Sequence, residues 1–194
     1  MLDNAIEELS SLPGVGYKTA LRYALDFLKK DEKSVKRFAD SIYRLKTDIR
    51  FCKECHNICD GDLCDICADG RRDRKTICVV ENVKDIIAIE RTGQYKGIYH
   101  ILGGVISPMD GIAPADLNIE KLISRVREGG IRELIFALSA TIEGDSTAFY
   151  ISKKLADCEQ LNITTIAKGI AVGYELDNID ELTLGRSILN RISL

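Results

Sequence analysis

The sequence has 194 residues, of which 45% are hydrophobic and 29% are charged, and its formal net charge is −3. This length can bury a substantial core, as one large domain or two small ones. No apolar run approaches the roughly 20 residues that a membrane-spanning helix needs, and the first residues lack the basic and apolar regions of a signal peptide. We therefore expect a cytoplasmic protein with no membrane partner, and the seven cysteines fit a reducing compartment.

The N-terminal third has apolar residues at helical spacing and predicts three helices. The first has an apolar face at Leu2, Ile6 and Leu9. The second runs from about Lys18 to Lys29, and its expected core face is Ala20, Leu21, Ala24, Leu25 and Leu28. The third has the apolar stripe Val35, Phe38, Ala39, Ile42, Leu45 and Ile49.

The turn between the first two helices, residues 12–16 (Leu-Pro-Gly-Val-Gly), is typical of a helix-hairpin-helix element. Its backbone N–H groups and the positive end of the next helix suit a phosphate. Lys18 and Arg22, one helical turn apart, would flank that phosphate on one face. The hypothesis is DNA binding that reads the backbone and is independent of base sequence. The alternative is an ordinary turn between two helices.

The charge distribution favours the same hypothesis. Residues 17–50 contain ten Lys and Arg against five Asp and Glu, a balance of +5. Residues 76–194 contain twelve against sixteen, a balance of −4. Such an asymmetry assigns attraction for a polyanion to the N-terminal part, although solvated helix faces are often basic as well.

Two C-x₂-C pairs, Cys52/Cys55 and Cys64/Cys67, are separated by eight residues. Each pair directs two thiolates to one point, and two pairs complete a tetrahedral shell around Zn²⁺ with no open position. The sequence therefore predicts a structural zinc that supplies the folding energy of this segment. Cys59 and His56 lie between the pairs and are left out of the shell, and the alternative is a disulfide or a redox pair.

The part of the chain after the cysteines alternates predicted strands with predicted helices, beyond a charged linker at residues 71–75. This order implies an α/β fold with a parallel sheet covered on both faces. The predicted strands are Thr76–Val80, Ile98–Leu102, Glu133–Leu138 and Ile163–Ala167, and the predicted helices are Val83–Glu90, Ile119–Glu128 and Thr147–Asp157.

Three carboxylates are expected at one edge of this sheet. Glu81 directly follows the first strand, and Glu143 and Asp145 lie in a predicted loop after the third. Functional groups in such sheets gather beyond the carboxyl ends of the strands. Clustered carboxylates could hold Mg²⁺ for phosphoryl chemistry. The alternative is that these acids are solvated or act as stabilising charges at a helix N-terminus.

The order of four motifs resembles the RecR family of bacterial recombination mediators over nearly the whole chain. The motifs are the hairpin with its Lys and Arg, the paired cysteines, Ile-Cys-Val-Val-Glu at residues 77–81, and Thr-Ile-Glu-Gly-Asp-Ser-Thr-Ala at residues 141–148. The resemblance implies a helix-hairpin-helix region (1–51), a Cys₄ zinc finger and linker (52–75), a Toprim domain (76–168) and a C-terminal oligomerisation segment (169–194).

The resemblance also implies a function. Members of the family are described as dimers that pair into a ring-shaped tetramer able to encircle DNA, and as working with RecO and RecF to load RecA onto coated single-stranded DNA. By position, Gly14, Gly16, Lys18 and Arg22 would contact DNA, and the four cysteines would bind zinc. Glu81, Glu143 and Asp145 would match the Toprim acidic positions.

Two departures from the family pattern bear on these expectations. Tyr17 stands where the family often has Pro, and Glu143-Gly-Asp145 replaces the Asp-x-Asp of catalytic Toprim enzymes. We therefore expect a protein without enzymatic activity, with acids that contact RecO or RecF rather than Mg²⁺. The alternative is a Mg²⁺-dependent Toprim nuclease or a related phosphoryl-transfer enzyme.

The tail is expected to pack in a core or in a subunit contact through its apolar residues, which are Leu182, Leu184, Ile188, Leu189 and Ile192.

Overall fold

Three helices, α1 (Leu2–Ser10), α2 (Tyr17–Phe27) and α3 (Glu32–Thr47), form the first of two units into which the chain divides, Met1–Ile49 and Arg50–Leu194. The computed structural model describes residues 1–170, 173–189 and 191. The three helices expected from the periodicity are present. The side chain of Asp31 caps α3 by accepting the Ser34 N–H at 2.9 Å.

The core of the N-terminal unit is small because α1 has only nine residues and covers one side of α2. Its buried residues are Ile6, Ala20 and Ala24, with Leu9, Val15 and Leu21 packed against them. The prediction that Leu25 and Leu28 belong to this core is wrong, since they are 44% and 74% exposed. The sequence period locates an apolar face but does not show how much of that face a short partner helix covers.

Helix α3 has no buried residue, although its apolar stripe is well formed. Phe38, Ile42 and Leu45 are all exposed, and Phe38 has a ring contact with Phe27 at a centroid distance of 5.0 Å. The prediction of the helix is confirmed, but its apolar face stays largely uncovered within residues 1–49.

The second unit contains a four-stranded parallel sheet, and its strands in spatial order are β4 (Gly97–Ile101), β3 (Asp73–Val80), β5 (Glu133–Ala137) and β6 (Asn162–Thr165). The α/β fold class and the parallel sheet predicted from the sequence are confirmed. The helices of this unit are α4 (Asp65–Ala68), α5 (Val83–Arg91), α6 (Ile119–Arg127), α7 (Ile142–Lys154) and α8 (Glu181–Leu189).

Both faces of the sheet are buried, which explains why its strands read as continuous apolar runs. Ile77 and Val79 of β3 face the larger core, together with residues of α6 and α7 such as Leu122 and Ile151. Cys78 and Val80 face the other side, where Ile86 of α5 packs. Cys78 is buried there and packs as a small core residue.

Two boundaries differ from those expected. Residues 71–75 are predicted as a linker, but β3 begins at Asp73, where the backbone N–H bonds to the Lys96 carbonyl at 2.9 Å. Helix α7 is expected from Thr147 but begins at Ile142. The reason is the side chain of Thr141, which accepts the Gly144 N–H at 3.1 Å and starts the helix five residues earlier.

The cysteine segment packs against edge strand β4. It contains a two-stranded antiparallel sheet, β1 (Arg50–Phe51) and β2 (Ile58–Cys59), followed by α4. The N–H of Ile101 in β4 donates to the Cys55 carbonyl at 2.8 Å, and Ile66 of α4 packs against the sheet core. An edge strand would otherwise expose unpaired backbone groups. The cysteine segment therefore protects this edge.

A partly buried ion pair also joins the cysteine region to α5. The guanidinium of Arg72 donates to both carboxylate oxygens of Glu90, with Nη1 and Oε1 2.9 Å apart. The hydroxyl of Tyr99 donates to the same Oε1 at 2.7 Å. The pKa of Glu90 is lowered, first because Arg72 donates to the carboxylate.

We expect Glu90→Gln to reduce the free energy of unfolding by roughly 1–3 kcal/mol at pH 7, because Arg72 would remain half buried without its counter-charge. A lowered pKa in the folded state means that the stabilisation is present above the unfolded pKa and is lost as pH falls through the folded value. Urea unfolding followed by circular dichroism should therefore show a difference from wild type that narrows below about pH 4. Glu120→Gln, at an exposed position on α6, serves as the control. A difference in the free energy of unfolding between Glu90→Gln and wild type that does not change with pH would contradict this account.

The tail beyond β6 contains α8, whose apolar residues lie mostly at the surface of the chain. Leu182, Ile188 and Leu189 are 66%, 59% and 79% exposed, so packing in this chain's own core is the wrong interpretation for them. A subunit contact stays a prediction, and Ile192 lies outside the described residues. No helix among the described residues is long and apolar enough to cross a membrane.

Candidate metal centre and nucleic-acid interface

The four predicted zinc ligands come together in one buried cluster. The sulfur atoms of Cys52, Cys55, Cys64 and Cys67 all lie within 4.8 Å of one another. Among the described residues this is the one group of three or more His, Cys, Asp or Glu ligand atoms so close together. Tetrahedral coordination with Zn–S bonds of about 2.3 Å places sulfurs about 3.8 Å apart, which this cluster matches.

The alternatives to zinc fit the cluster less well. All four cysteines are free, and the sulfurs of Cys55 and Cys64 are 3.5 Å apart, whereas a disulfide needs about 2.05 Å. Cys59 is outside the cluster, and its thiol donates to the Gly61 carbonyl at 3.0 Å. The ring of His56 instead meets that of His100 at a centroid distance of 5.5 Å.

The backbone around the first pair is arranged for thiolates. His56 has φ +62°, a left-handed conformation that is unusual for a residue with a side chain. This turn lets the Asn57 N–H donate to the Cys55 sulfur at 3.4 Å. The pKa of Cys64 is lowered, first because Cys55 donates to its sulfur and then because Cys67 does. A divalent cation would replace such shared protons and hold all four sulfurs as thiolates.

The hairpin between α1 and α2 presents backbone donors to solvent. Gly14 has φ +79°, which favours glycine, and Gly16 is the extended residue that precedes α2. Val15 between them packs into the small core and anchors the turn. The N–H groups of Gly16, Tyr17 and Lys18 donate to no acceptor within residues 1–49. Free N–H groups at the start of a helix form an anion-binding surface.

Lys18 and Arg22 are exposed and lie one turn apart on α2, next to these donors. Neither makes an ion pair within residues 1–49, whereas Lys30, Lys36 and Arg44 are paired with acids of the same unit. The guanidinium of Arg22 lies 5.6 Å from the centre of the Tyr23 ring. The hairpin therefore combines free backbone donors with two unneutralised cations.

Glu81 lies at the carboxyl end of β3, as predicted from the sequence, but its carboxylate already accepts a hydrogen bond from within the protein. Its Oε1 accepts the Ser139 N–H, which follows β5, at 2.5 Å. The Glu81 carbonyl accepts the Gly103 N–H at 2.9 Å. Glu81, which follows β3, is thus hydrogen-bonded to the segments that follow β4 and β5.

Glu143 and Asp145 lie in the first turn of α7 rather than in a loop. Gly144 between them is required for close packing, because a Cβ there would lie 2.1 Å from the Ser139 carbonyl oxygen. Asp145 is paired with Lys168 and lies 3.8 Å from Arg186 of α8. The three acids share one sheet edge but do not form a group of ligands within 4.8 Å among the described residues.

Sequence reasoning did not identify Lys168 and Arg186. They are 23 and 41 positions from Asp145, and no local spacing connects residues so far apart. The role of Thr141 as the helix cap, by contrast, could have been predicted, because Thr followed by two acids within four residues is typical of a helix start.

Four family models match the chain in the order of the structural elements. They are described as RecR, helix-hairpin-helix (residues 2–45), RecR, Cys₄-zinc finger domain (49–69), Toprim domain (75–167) and RecR, C-terminal (169–192). The zinc-finger match covers the four clustered cysteines.

Whole-chain relatives agree with these matches. The chain is 53% identical to Recombination protein RecR of Parabacteroides distasonis over 98% of its own length and 91% of the relative. It is 54% identical to the protein of the same name from Bacteroides thetaiotaomicron, over 98% and 93% of the two chains, and 51% identical to that of Flavobacterium johnsoniae, over 99% and 93%. Such similarity defines a recombination protein built from a hairpin, a zinc finger and a Toprim fold. The chain belongs to the RecR family.

Proposed function

We propose that this protein is a DNA-binding recombination mediator that acts in DNA repair without catalysing a reaction. Family membership supports the role in recombination and repair. The observation that carries the DNA contact is the hairpin, where unpaired backbone donors stand beside Lys18 and Arg22. Contacts of this kind hold phosphates and do not distinguish bases, so binding is independent of sequence and sensitive to salt.

A single hairpin is a weak site, since it offers two exposed cations and a few N–H groups. Several copies that close around one strand would multiply the weak affinity through effective concentration. The exposed apolar stripe of α3 and the exposed apolar residues of α8 are surfaces of the kind that assembly requires. We propose a dimer that pairs into a clamp-like tetramer, and a cytoplasmic location where DNA is accessible.

In the cell this clamp would work with RecO and RecF to load RecA onto single-stranded DNA. Partner contact is the proposed use of the Toprim acids, and the geometry favours Glu143 for it. Glu81 is bonded to Ser139 and Asp145 is paired with Lys168, whereas the half-buried Glu143 carboxylate makes no hydrogen bond or ion pair with the described residues.

Zinc is proposed as the resident metal of the four cysteines, where it would supply folding energy and no chemistry. Mg²⁺ at the Toprim acids is a weaker proposal, because a site for phosphoryl transfer needs carboxylates that converge on the ion. The cations beside Asp145 would compete with Mg²⁺ for that carboxylate.

The rival function is a Mg²⁺-dependent nuclease, and one assay separates the two. Labelled single- and double-stranded DNA incubated with the purified protein and Mg²⁺ or Mn²⁺ should remain intact, because Glu81, Glu143 and Asp145 do not converge. Glu81→Gln is the matched control: cleavage that persists in it belongs to a contaminant. Cleavage by wild type that Glu81→Gln abolishes would establish the enzyme and overturn the mediator assignment.

A further inference from the structure

A cavity of about 620 Å³ opens at the amino ends of the strands, between the cysteine segment and α6. The Toprim acids lie at the other, carboxyl ends of the strands. Its basic lining residues are Lys53, Arg74, Lys75, Lys121 and Arg125, and its acidic ones are Glu54 and Glu128. Lys53 is paired with Asp62 at 2.7 Å, so the other four cations against two carboxylates leave a local balance of +2. The volume is within the usual range of small-ligand sites.

Arg125 is the best-placed ligand-binding group in this cavity. Its side chain is only 15% exposed, and its Nη1 donates to the Tyr99 carbonyl at 2.8 Å, which fixes the guanidinium. Its Nη2 is buried and finds no hydrogen-bond acceptor among the described residues. Buried donors are normally satisfied, so a donor held in place without an acceptor suits an incoming oxyanion.

The remaining charges are arranged around this guanidinium. Lys121 lies one turn before Arg125 on α6, and two like charges at this spacing repel each other. Glu54 partly offsets them, with its Oε2 3.6 Å from Nη2 of both Arg125 and Arg74. These distances are too long for hydrogen bonds. A phosphate could approach the same two guanidinium groups more closely, in the forked geometry that Arg favours.

We propose that this cavity binds a phosphate group, with Arg125 as its principal ligand and Lys121 and Arg74 as supporting cations. The proposal goes beyond the hairpin and stands whether or not the hairpin binds DNA. The phosphate could belong to a polynucleotide or to a free nucleotide or phosphate ion; the chemistry of recognition is the same.

The test uses the full-length chain with Lys18→Ala and Arg22→Ala, so that the hairpin does not contribute. Inorganic phosphate is titrated and followed by phosphorus NMR at constant ionic strength. We expect saturable binding that Arg125→Gln weakens about tenfold or more and Lys121→Gln about threefold. Glu54→Gln should have the opposite effect and tighten binding, because it removes a competing carboxylate. Lys84→Gln, an exposed position near the opposite sheet edge, should change nothing.

Absence of saturable phosphate binding would overturn the proposal. Arg125→Gln and Lys121→Gln variants that bind phosphate as tightly as the parent chain would overturn it as well. If Arg125→Gln fails to fold, the opposite shifts of Lys121→Gln and Glu54→Gln decide the matter. Displacement of bound phosphate by a single-stranded oligonucleotide assigns the site to a polynucleotide. Displacement by a mononucleotide alone assigns it to a small ligand. Loss of DNA binding at the hairpin would leave all these results unaffected.

Discussion

Replacing Lys18 and Arg22 together by Ala should weaken binding of single-stranded DNA by roughly 100-fold or more at moderate salt, because each copy in the assembly loses two cations that face phosphates. The dependence of log K on log salt should become shallower, by about 0.7 for each phosphate that is no longer neutralised. Both side chains are exposed, so the fold should be unchanged. Fluorescence anisotropy with a labelled oligonucleotide at several salt concentrations measures both quantities.

The matched control for this variant is Lys33→Ala with Lys46→Ala. These lysines are exposed on α3 of the same unit, and their removal changes the net charge by the same amount. The control should lose little affinity, because neither residue belongs to the hairpin or to α2. Equal losses of DNA affinity in the two double variants would mean that the hairpin contributes only its general positive charge. Unchanged DNA binding in the Lys18 and Arg22 variant would show that the hairpin takes no part in binding.

Replacing Cys52 by Ser should release zinc and lower the free energy of unfolding by roughly 4 kcal/mol or more. Cys52 is fully buried in the cluster, and a hydroxyl does not replace a thiolate as a zinc ligand. The destabilisation should extend beyond the cysteine segment, because the Cys55 carbonyl accepts a hydrogen bond from the Ile101 N–H of edge strand β4. An uncovered edge strand promotes aggregation, so reduced solubility is expected as well.

Zinc content by mass spectrometry and thermal unfolding by calorimetry test this prediction. Cys59→Ser is the control in the same segment: a serine hydroxyl can keep the bond to the Gly61 carbonyl, so zinc and stability should be retained. Chelation of the wild-type protein should reproduce the effect of Cys52→Ser. A Cys52→Ser protein that is metal-free and as stable as wild type would refute a structural zinc.

The elements with a strong local signal were predictable from the sequence. The paired cysteines specified their cluster because two C-x₂-C units have few other uses. The parallel sheet was predictable because strands buried on both faces read as apolar runs between helical periods. The hairpin could be located because Pro13, Gly14 and Gly16 punctuate two helical patterns.

The failures have two physical causes. Periodicity locates an apolar face but does not show whether another element covers it. Leu25 and Leu28 were therefore wrongly predicted to be buried, and of the two uses predicted for the exposed α8 residues only the subunit contact is left. Tertiary pairing between distant positions leaves no local pattern, so the neutralisation of Asp145 by Lys168 and the enclosed position of Arg125 emerged only from the structure.

The central claim is that individually weak hairpins hold DNA because several copies enclose the strand. Mass photometry or light scattering of the wild-type protein, with and without a single-stranded oligonucleotide, tests it most directly. The account predicts complexes that contain two to four copies of the 21.6 kDa chain on one DNA molecule. A DNA complex that contains a single copy, or a protein that does not bind DNA at all, would contradict it.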